Sequence, residues 1–423
     1  MATYLVFGAR NMNRTVTPWQ TFSSAPHRVM FFAGAVQGVA TIAWWLAELL
    51  GRYQVLGSGF TWAIPAILAH AYLMVYGFFP FFIFGFLFTT YPNWMNGKKI
   101  SRRAYLGAFL PMAGGVTLFY IGLVMGKWLV ALAVASMLAG WAVAVIALLR
   151  VLMRSSHPDK RHATVTSAAL IVGWLGMLAY FLWLITGEAA ALNGARVIGI
   201  WFFLLPVVVT VSHRMIPFFS SSVLKNYVVV RPYGLLWLML ACIAGHGALE
   251  LLGAYSYLWL CDVPLAIAAF YLSAKWGFFR SFQVRMLAVL HVAFLWLGLA
   301  MSLYAVQSLL LLVSSGRTYV LGLAPLHALT IGLLASIVLA MASRVTLGHS
   351  GRELVADGVT WALFLGFQAT AVVRVLGDTA LGAAHGAGYL YIGAAVIWLA
   401  CYAAWAMKYS PVYWRPRVDH KVG

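Results

Sequence analysis

Histidine is the residue type through which this chain could do chemistry. Eleven of its 423 residues are histidine, and their positions relative to the apolar runs sort them. His70 follows the start of one run at Trp62, and His327 follows the start of another at Val320. At about 1.5 Å per helical residue both would lie roughly 10–12 Å deep. Two imidazoles at matched depth on different helices of one bundle are what a bis-histidine haem requires. Tyr72, Met74, Tyr76, Phe78 and Phe79, close to the first of them, would line a macrocycle. Each histidine would serve equally well as a hydrogen bond to a neighbouring helix. Depth alone leaves both readings open.

A second group lies at the opposite ends of the runs. His27, His213, His291 and His349 sit near predicted helix ends, with Arg28, Arg214, Arg344 and Arg352 beside three of them. Imidazoles suit copper, iron or zinc, and arginines suit haem propionates or another anionic ligand. The pattern points to a second metal or haem site. The plainer reading is that these arginines only set topology and that interfacial histidines are ordinary. His157, His162, His385 and His420 read as loop residues, and His246 reads as intramembrane with no obvious partner at its depth.

The elements that must position these residues are transmembrane helices. The chain is 63% hydrophobic and only 9% charged, too apolar to cover itself in water. The apolar runs last about 20 residues without the alternation of barrel strands, which excludes a β-barrel. Twelve spans are predicted: 29–50, 62–90, 104–125, 128–149, 164–186, 196–212, 233–251, 258–274, 286–313, 320–342, 358–376 and 386–408. With the N-terminus placed in the cytoplasm, 23 of the 28 lysines and arginines fall on that side. The other side receives Arg52, Lys127, Arg196, Arg317 and Arg374. Alternation of this kind follows the positive-inside rule and puts both termini in the cytoplasm.

The expected fold class is therefore all-α, a polytopic membrane bundle of about twelve helices. The expected division is a cytoplasmic tail over 1–28, one transmembrane domain over 29–408 and a second tail over 409–423. The net charge of +19 is scattered in short clusters, so it does not indicate nucleic acid. The lipid bilayer is the expected partner. Cys242, Cys261 and Cys401 form neither a CxxC pair nor a haem-attachment motif. All nine carboxylates lie near predicted helix ends or in loops, whereas ion-coupled transporters and proton pumps usually keep ionisable groups at depth.

At the histidine segments the sequence resembles the NnrS family of bacterial inner-membrane proteins. The matching stretches are PHRVMFF (26–32), HAYLMVYGF (70–78), GFLFTTYPNWMNG (85–97), HRMIPFFS (213–220), LHALTIG (326–332) and MASRVTLGHSGREL (341–354). They occur in order, and the last is the most specific. Where the family usually shows HAHEM, this chain has His70-Ala71-Tyr72-Leu73-Met74. A metal site that relied on the replaced histidine and glutamate is therefore in doubt. The resemblance implies a haem- and copper-containing membrane protein of the response to nitric oxide and nitrosative stress.

A more distant likeness is to cytochrome c oxidase subunit I. Residues 69–86 look like its second helix, whose histidine holds the low-spin haem, and residues 325–332 look like its tenth. This likeness implies b-type haem ligation by His70 and His327. Pro325 then stands where the ligand of the oxygen-reducing haem would be, and no HPEVY-type copper motif occurs in the sixth helix. The binuclear oxygen-reducing centre is expected to be absent.

Besides a sensor or assembly factor with a regulatory haem, which large extramembrane domains would favour and the predicted short loops do not, two functional classes follow. One is a haem protein that binds nitric oxide or passes electrons to its removal, fed by a membrane quinol or another donor. The other is an exporter of a small molecule such as a nitrosylated metal species, with Pro65, Pro80, Pro111 and Pro206 breaking helices around its site.

Overall fold

The computed structural model describes residues 17–57, 59–379, 382, 384 and 386–419. Arg10, Arg14, His385, His420 and Lys421 lie outside the described residues. The fold is 81% helix, with no strand among the described residues. Proline opens the first two helices, α1 (Pro18–Phe22) and α2 (Pro26–Arg52), where its missing N–H costs nothing. The long helices α3 (Ala66–Trp94), α4 (Arg102–Met125), α5 (Lys127–Arg154), α6 (Arg161–Thr186), α7 (Ala189–Val223) and α8 (Tyr233–Leu251) follow. After α9 (Trp259–Lys275) and the short α10 (Phe278–Ser281) come α11 (Arg285–Val313), α12 (Ala324–His349), α13 (Gly358–Gly377) and α14 (Ala387–Trp414).

Eleven of these helices are long and apolar enough to cross a membrane. The remaining predicted span, 258–274, is α9, a helix of 17 residues, at the short limit for crossing a bilayer. α1 falls within the first tail, and α14 runs past 408 to Trp414. Phe22 stacks on Trp414 at 3.9 Å, which joins the two.

Burial separates inner from peripheral helices. The most apolar stretch of α3 is 83% buried and that of α12 is 72% buried, against 28% for α13. The bundle thus puts the helices carrying His70 and His327 at its centre. Where α2 meets α14 the backbones approach closely: a Cβ on Gly38 would lie 2.4 Å from the Tyr402 ring, and the Tyr402 hydroxyl donates to Gly34 O at 3.1 Å.

Three inner helices contain a wider, π-helical stretch: Leu73–Phe78 in α3, Ile198–Leu204 in α7 and Ala328–Ala335 in α12. The first two have a local cause. Pro80 and Pro206 each follow such a stretch by two residues. A proline lacks the N–H that the carbonyl four residues back would accept from, and its ring crowds that carbonyl. In α12 no proline follows. There the Ser336 hydroxyl donates to Ile331 O at 3.1 Å, and Gly332 packs directly on the Trp296 ring.

Candidate functional site

His70 and His327 both sit about one turn from the start of their helices, closer to the helix ends than predicted. The helices begin later than the apolar runs. Pro65 stands at the N-cap of α3, and Val320 and Leu321 belong to a loop whose N–H groups donate to Gln307 Oε1 at 3.0 and 2.9 Å. His327 Nδ1 lies 3.0 Å from Leu323 O. A carbonyl only accepts, so Nδ1 carries the hydrogen and the Nε2 lone pair is free. The Asp378 carboxylate lies 3.9 Å from the same Nδ1. His70 stacks on Trp45 at 4.1 Å, and its Nδ1 is buried without a partner.

The two histidines line one cavity of about 1150 Å³, larger than the roughly 300–1,000 Å³ of ordinary small-molecule sites. Its wall is mainly apolar and aromatic, and residues of all three π-helical stretches contribute to it, among them Tyr76, Trp201 and Thr330. Wide turns of this kind concentrate at functional sites.

Arg52, Arg196 and Arg374 also line the cavity. They are three of the five basic residues that the charge pattern predicts on the outer side. Each is tied to a carboxylate: Arg52 to Glu48 at 2.9 Å, Arg374 to Asp378 at 2.5 Å, and Arg196 to Glu250. The guanidinium of Arg374 also lies over the Tyr391 ring at 4.2 Å. As arginines, they can present fixed N–H groups to an anionic ligand in the cavity. Sequence reasoning sought anion-binding arginines at the other end of the helices. The signal that singled these three out was their place on the minority side of the charge pattern.

At that other end, the four histidines of the predicted second site separate. His27 and His349 are neighbours, with ring centroids 4.9 Å apart. His213 pairs instead with His162, Nδ1 to Nε2 at 3.0 Å, and His291 Nε2 lies 3.0 Å from Ser220 Oγ. No three histidine, cysteine or acidic side chains among the described residues gather as a metal would require. His162 is not the loop residue it was predicted to be: it is the second residue of α6 and is buried. His213 Nε2 faces Pro232 O at 3.3 Å and must donate there, so its Nδ1 accepts from His162. Beside them Tyr233 donates to Asp159 at 2.5 Å, and the Arg161 guanidinium holds the Asp159 carboxyl well below the usual carboxylate range.

The arginines of this end are occupied too. Buried Arg28 donates to Tyr413 O and Arg415 O, both at 2.9 Å, and so caps α14. Arg344 lies over the Phe219 ring at 4.0 Å, and half-buried Arg214 lies over Trp94 at 5.0 Å. Two arginines at this end keep a buried atom without a partner among the described residues, Arg231 Nε and Arg352 Nη1.

His246, predicted to lack a partner, has one. Its Nδ1 lies 2.6 Å from Asp262 Oδ1, and both side chains are fully buried. The two residues meet because α8 and α9, joined by a short turn, pack against each other. The carboxylates do lie near helix ends, as predicted, yet Glu48, Glu250 and Asp262 are all buried.

Fold and site define a polytopic helical membrane protein whose central cavity carries two histidines and three paired arginines. None of the curated proteins matches the sequence. A family model described as NnrS protein matches residues 21–417, nearly the whole chain, and the protein belongs to the NnrS family.

Proposed function

We propose that the chain is a haem protein of the nitric oxide response in the bacterial inner membrane, with His70 and His327 as the axial ligands of a b-type haem. The observation that carries this reading is the pair of imidazoles on one large aromatic cavity. The fit is good on three counts. His327 has its Nδ1 hydrogen committed and Nε2 free, as second-shell contacts arrange for a metal ligand. His70 has an orphaned buried nitrogen, which a purely structural histidine would have partnered. Arg52, Arg196 and Arg374 would meet anionic propionates. Bound there, the haem would supply one-electron chemistry and a metal to which nitric oxide can bind.

A bis-histidine site has no open position, so nitric oxide would need one imidazole to withdraw. His327 is anchored by Leu323 O, whereas among the described residues His70 stacks on Trp45 and its Nδ1 has no partner. His70 is therefore the side chain that would give way. Copper, if bound, would take two imidazoles from His27 and His349 and its remaining ligands from elsewhere. A membrane quinol is the class of electron donor that the location favours. The charge pattern supports an orientation with both termini in the cytoplasm and the His70–His327 cavity toward the outer face.

The second reading, export of a small molecule such as a nitrosylated metal species, draws on the cavity's size and on the three helices interrupted beside it. An optical and EPR spectrum of the purified protein, with metal analysis and before and after nitric oxide, separates the two. The haem reading expects a low-spin bis-imidazole signal that changes on adding the gas. Protein free of haem, purified from cells able to supply it, favours export.

A further inference from the structure

One wall of the cavity holds a chain of ionisable groups that haem ligation does not use. His246 of α8 is fully buried between Asp262 of α9 and Glu250, one turn further along α8. The Trp201 indole stacks on its ring at 3.5 Å, and Tyr304 of α11 meets it edge-on at 4.9 Å. Glu250 in turn pairs with Arg196, and both line the cavity.

In this group three atoms are buried with no partner among the described residues: His246 Nε2, Glu250 Oε2 and Asp262 Oδ2. Each such atom costs about 1–3 kcal/mol, and a network kept only for stability would have satisfied them. Two of the three face each other. His246 Nε2 and Glu250 Oε2 are 3.8 Å apart, too far for a hydrogen bond and near enough that a rotation of the carboxyl group would make one. A proton belongs in that gap.

We propose that His246 stores an exchangeable proton for the cavity, with Asp262 orienting its ring and Glu250 carrying the proton to and from the cavity wall. On delivery the Nε2–H bond of the imidazolium breaks as an O–H bond forms on Glu250 Oε2. Asp262 continues to accept the remaining Nδ1–H of the neutral ring. Glu250, now neutral, leaves the Arg196 charge uncompensated at the wall. Passing the proton on to a basic acceptor in the cavity restores the carboxylate and its pair with Arg196. Loading runs in reverse.

The other titratable groups nearby are Tyr319, which interacts with Glu250, Tyr255, which interacts with Arg196, and Cys242 and Cys261, which interact with Asp262. With Tyr304 they are phenols and thiols, ordinarily neutral near pH 7. The charge on His246 is therefore set by Asp262, Glu250 and Arg196.

Trp201 provides a reporter that needs no bound cofactor, because an imidazolium stacked on an indole quenches its fluorescence. Full-length protein in detergent should show a pH-dependent fluorescence step that follows a single proton. The step should vanish in His246→Gln and in Trp201→Phe, and its midpoint should move in Glu250→Gln, which keeps the side-chain shape. A wild type without the step, or a step that survives in either of the first two variants, overturns the proposal. If His246→Gln does not fold, Glu250→Gln decides, and an unmoved midpoint there overturns it as well.

Discussion

The two ends of the bundle carry the same residue types and leave them in opposite states. At the end predicted to face the cytoplasm, buried Arg28 caps α14, Arg417 donates to His349 O at the end of α12, and Arg344 covers Phe219. The histidines there find one another or a hydroxyl. At the cavity end, His70 and His246 keep buried nitrogens without partners, and the arginines stand in ion pairs along an open wall. The lesson is that charge density did not locate the site. The basic end ties its histidines and most of its arginines to the protein itself, leaving Arg231 Nε and Arg352 Nη1 unpartnered among the described residues, whereas the cavity end leaves histidine and carboxylate atoms free.

That contrast yields a graded set of expectations. Asp378→Ala should have the largest effect on stability, about 2–4 kcal/mol, because it removes the half-buried Arg374 and Tyr391 hydrogen bonds to one carboxylate together. It should also loosen His327, so thermal unfolding and ligand retention in the cavity should fall together. Arg28→Ala should cost about 1–3 kcal/mol by orphaning buried helix-end carbonyls. It should lower the melting temperature while leaving the cavity untouched; a change in cavity ligand binding would break the comparison. Arg344→Leu should cost about 0.5–2 kcal/mol through its lost cation–π contact, again with no effect at the cavity.

The smallest effect concerns Lys408, whose ammonium bonds the Asp357 carboxylate at 2.5 Å between α13 and α14. This contact, followed by the Thr360 N–H, pushes the Asp357 carboxyl down to about 2. A carboxyl lowered on folding stabilises above its ordinary pKa of about 4, and that contribution disappears as pH falls through the folded value. The pair is largely exposed, so Lys408→Met should lower the melting temperature only slightly at pH 7. The difference from wild type should shrink between about pH 4 and pH 2. A difference that grows on acidification would contradict the assignment.

Much of this was legible in the sequence. Apolar runs bounded by basic clusters predicted the helices, because bilayer thickness and topology are written directly in composition. His70 and His327 line one cavity although both helices start later than their apolar runs, since the two shifts were similar. What stayed hidden depends on packing. The partition of His27, His213, His291 and His349 into separate contacts is a matter of helix rotation, which span prediction does not address. His162 was mistaken for a loop residue because it follows Lys160 and Arg161, yet Arg161 already begins α6. The π-helical stretch in α12 has no proline to announce it. His246 and Asp262 could have been paired from the short turn between their helices, had that turn been read as an antiparallel contact.

The most direct test of the central claim is the low-spin haem spectrum of four variants, each checked for membrane insertion. His70→Ala and His327→Ala should abolish it, while His27→Ala and His349→Ala should retain it. Retention of the spectrum in either of the first two variants would contradict the assignment of the cavity as the haem site.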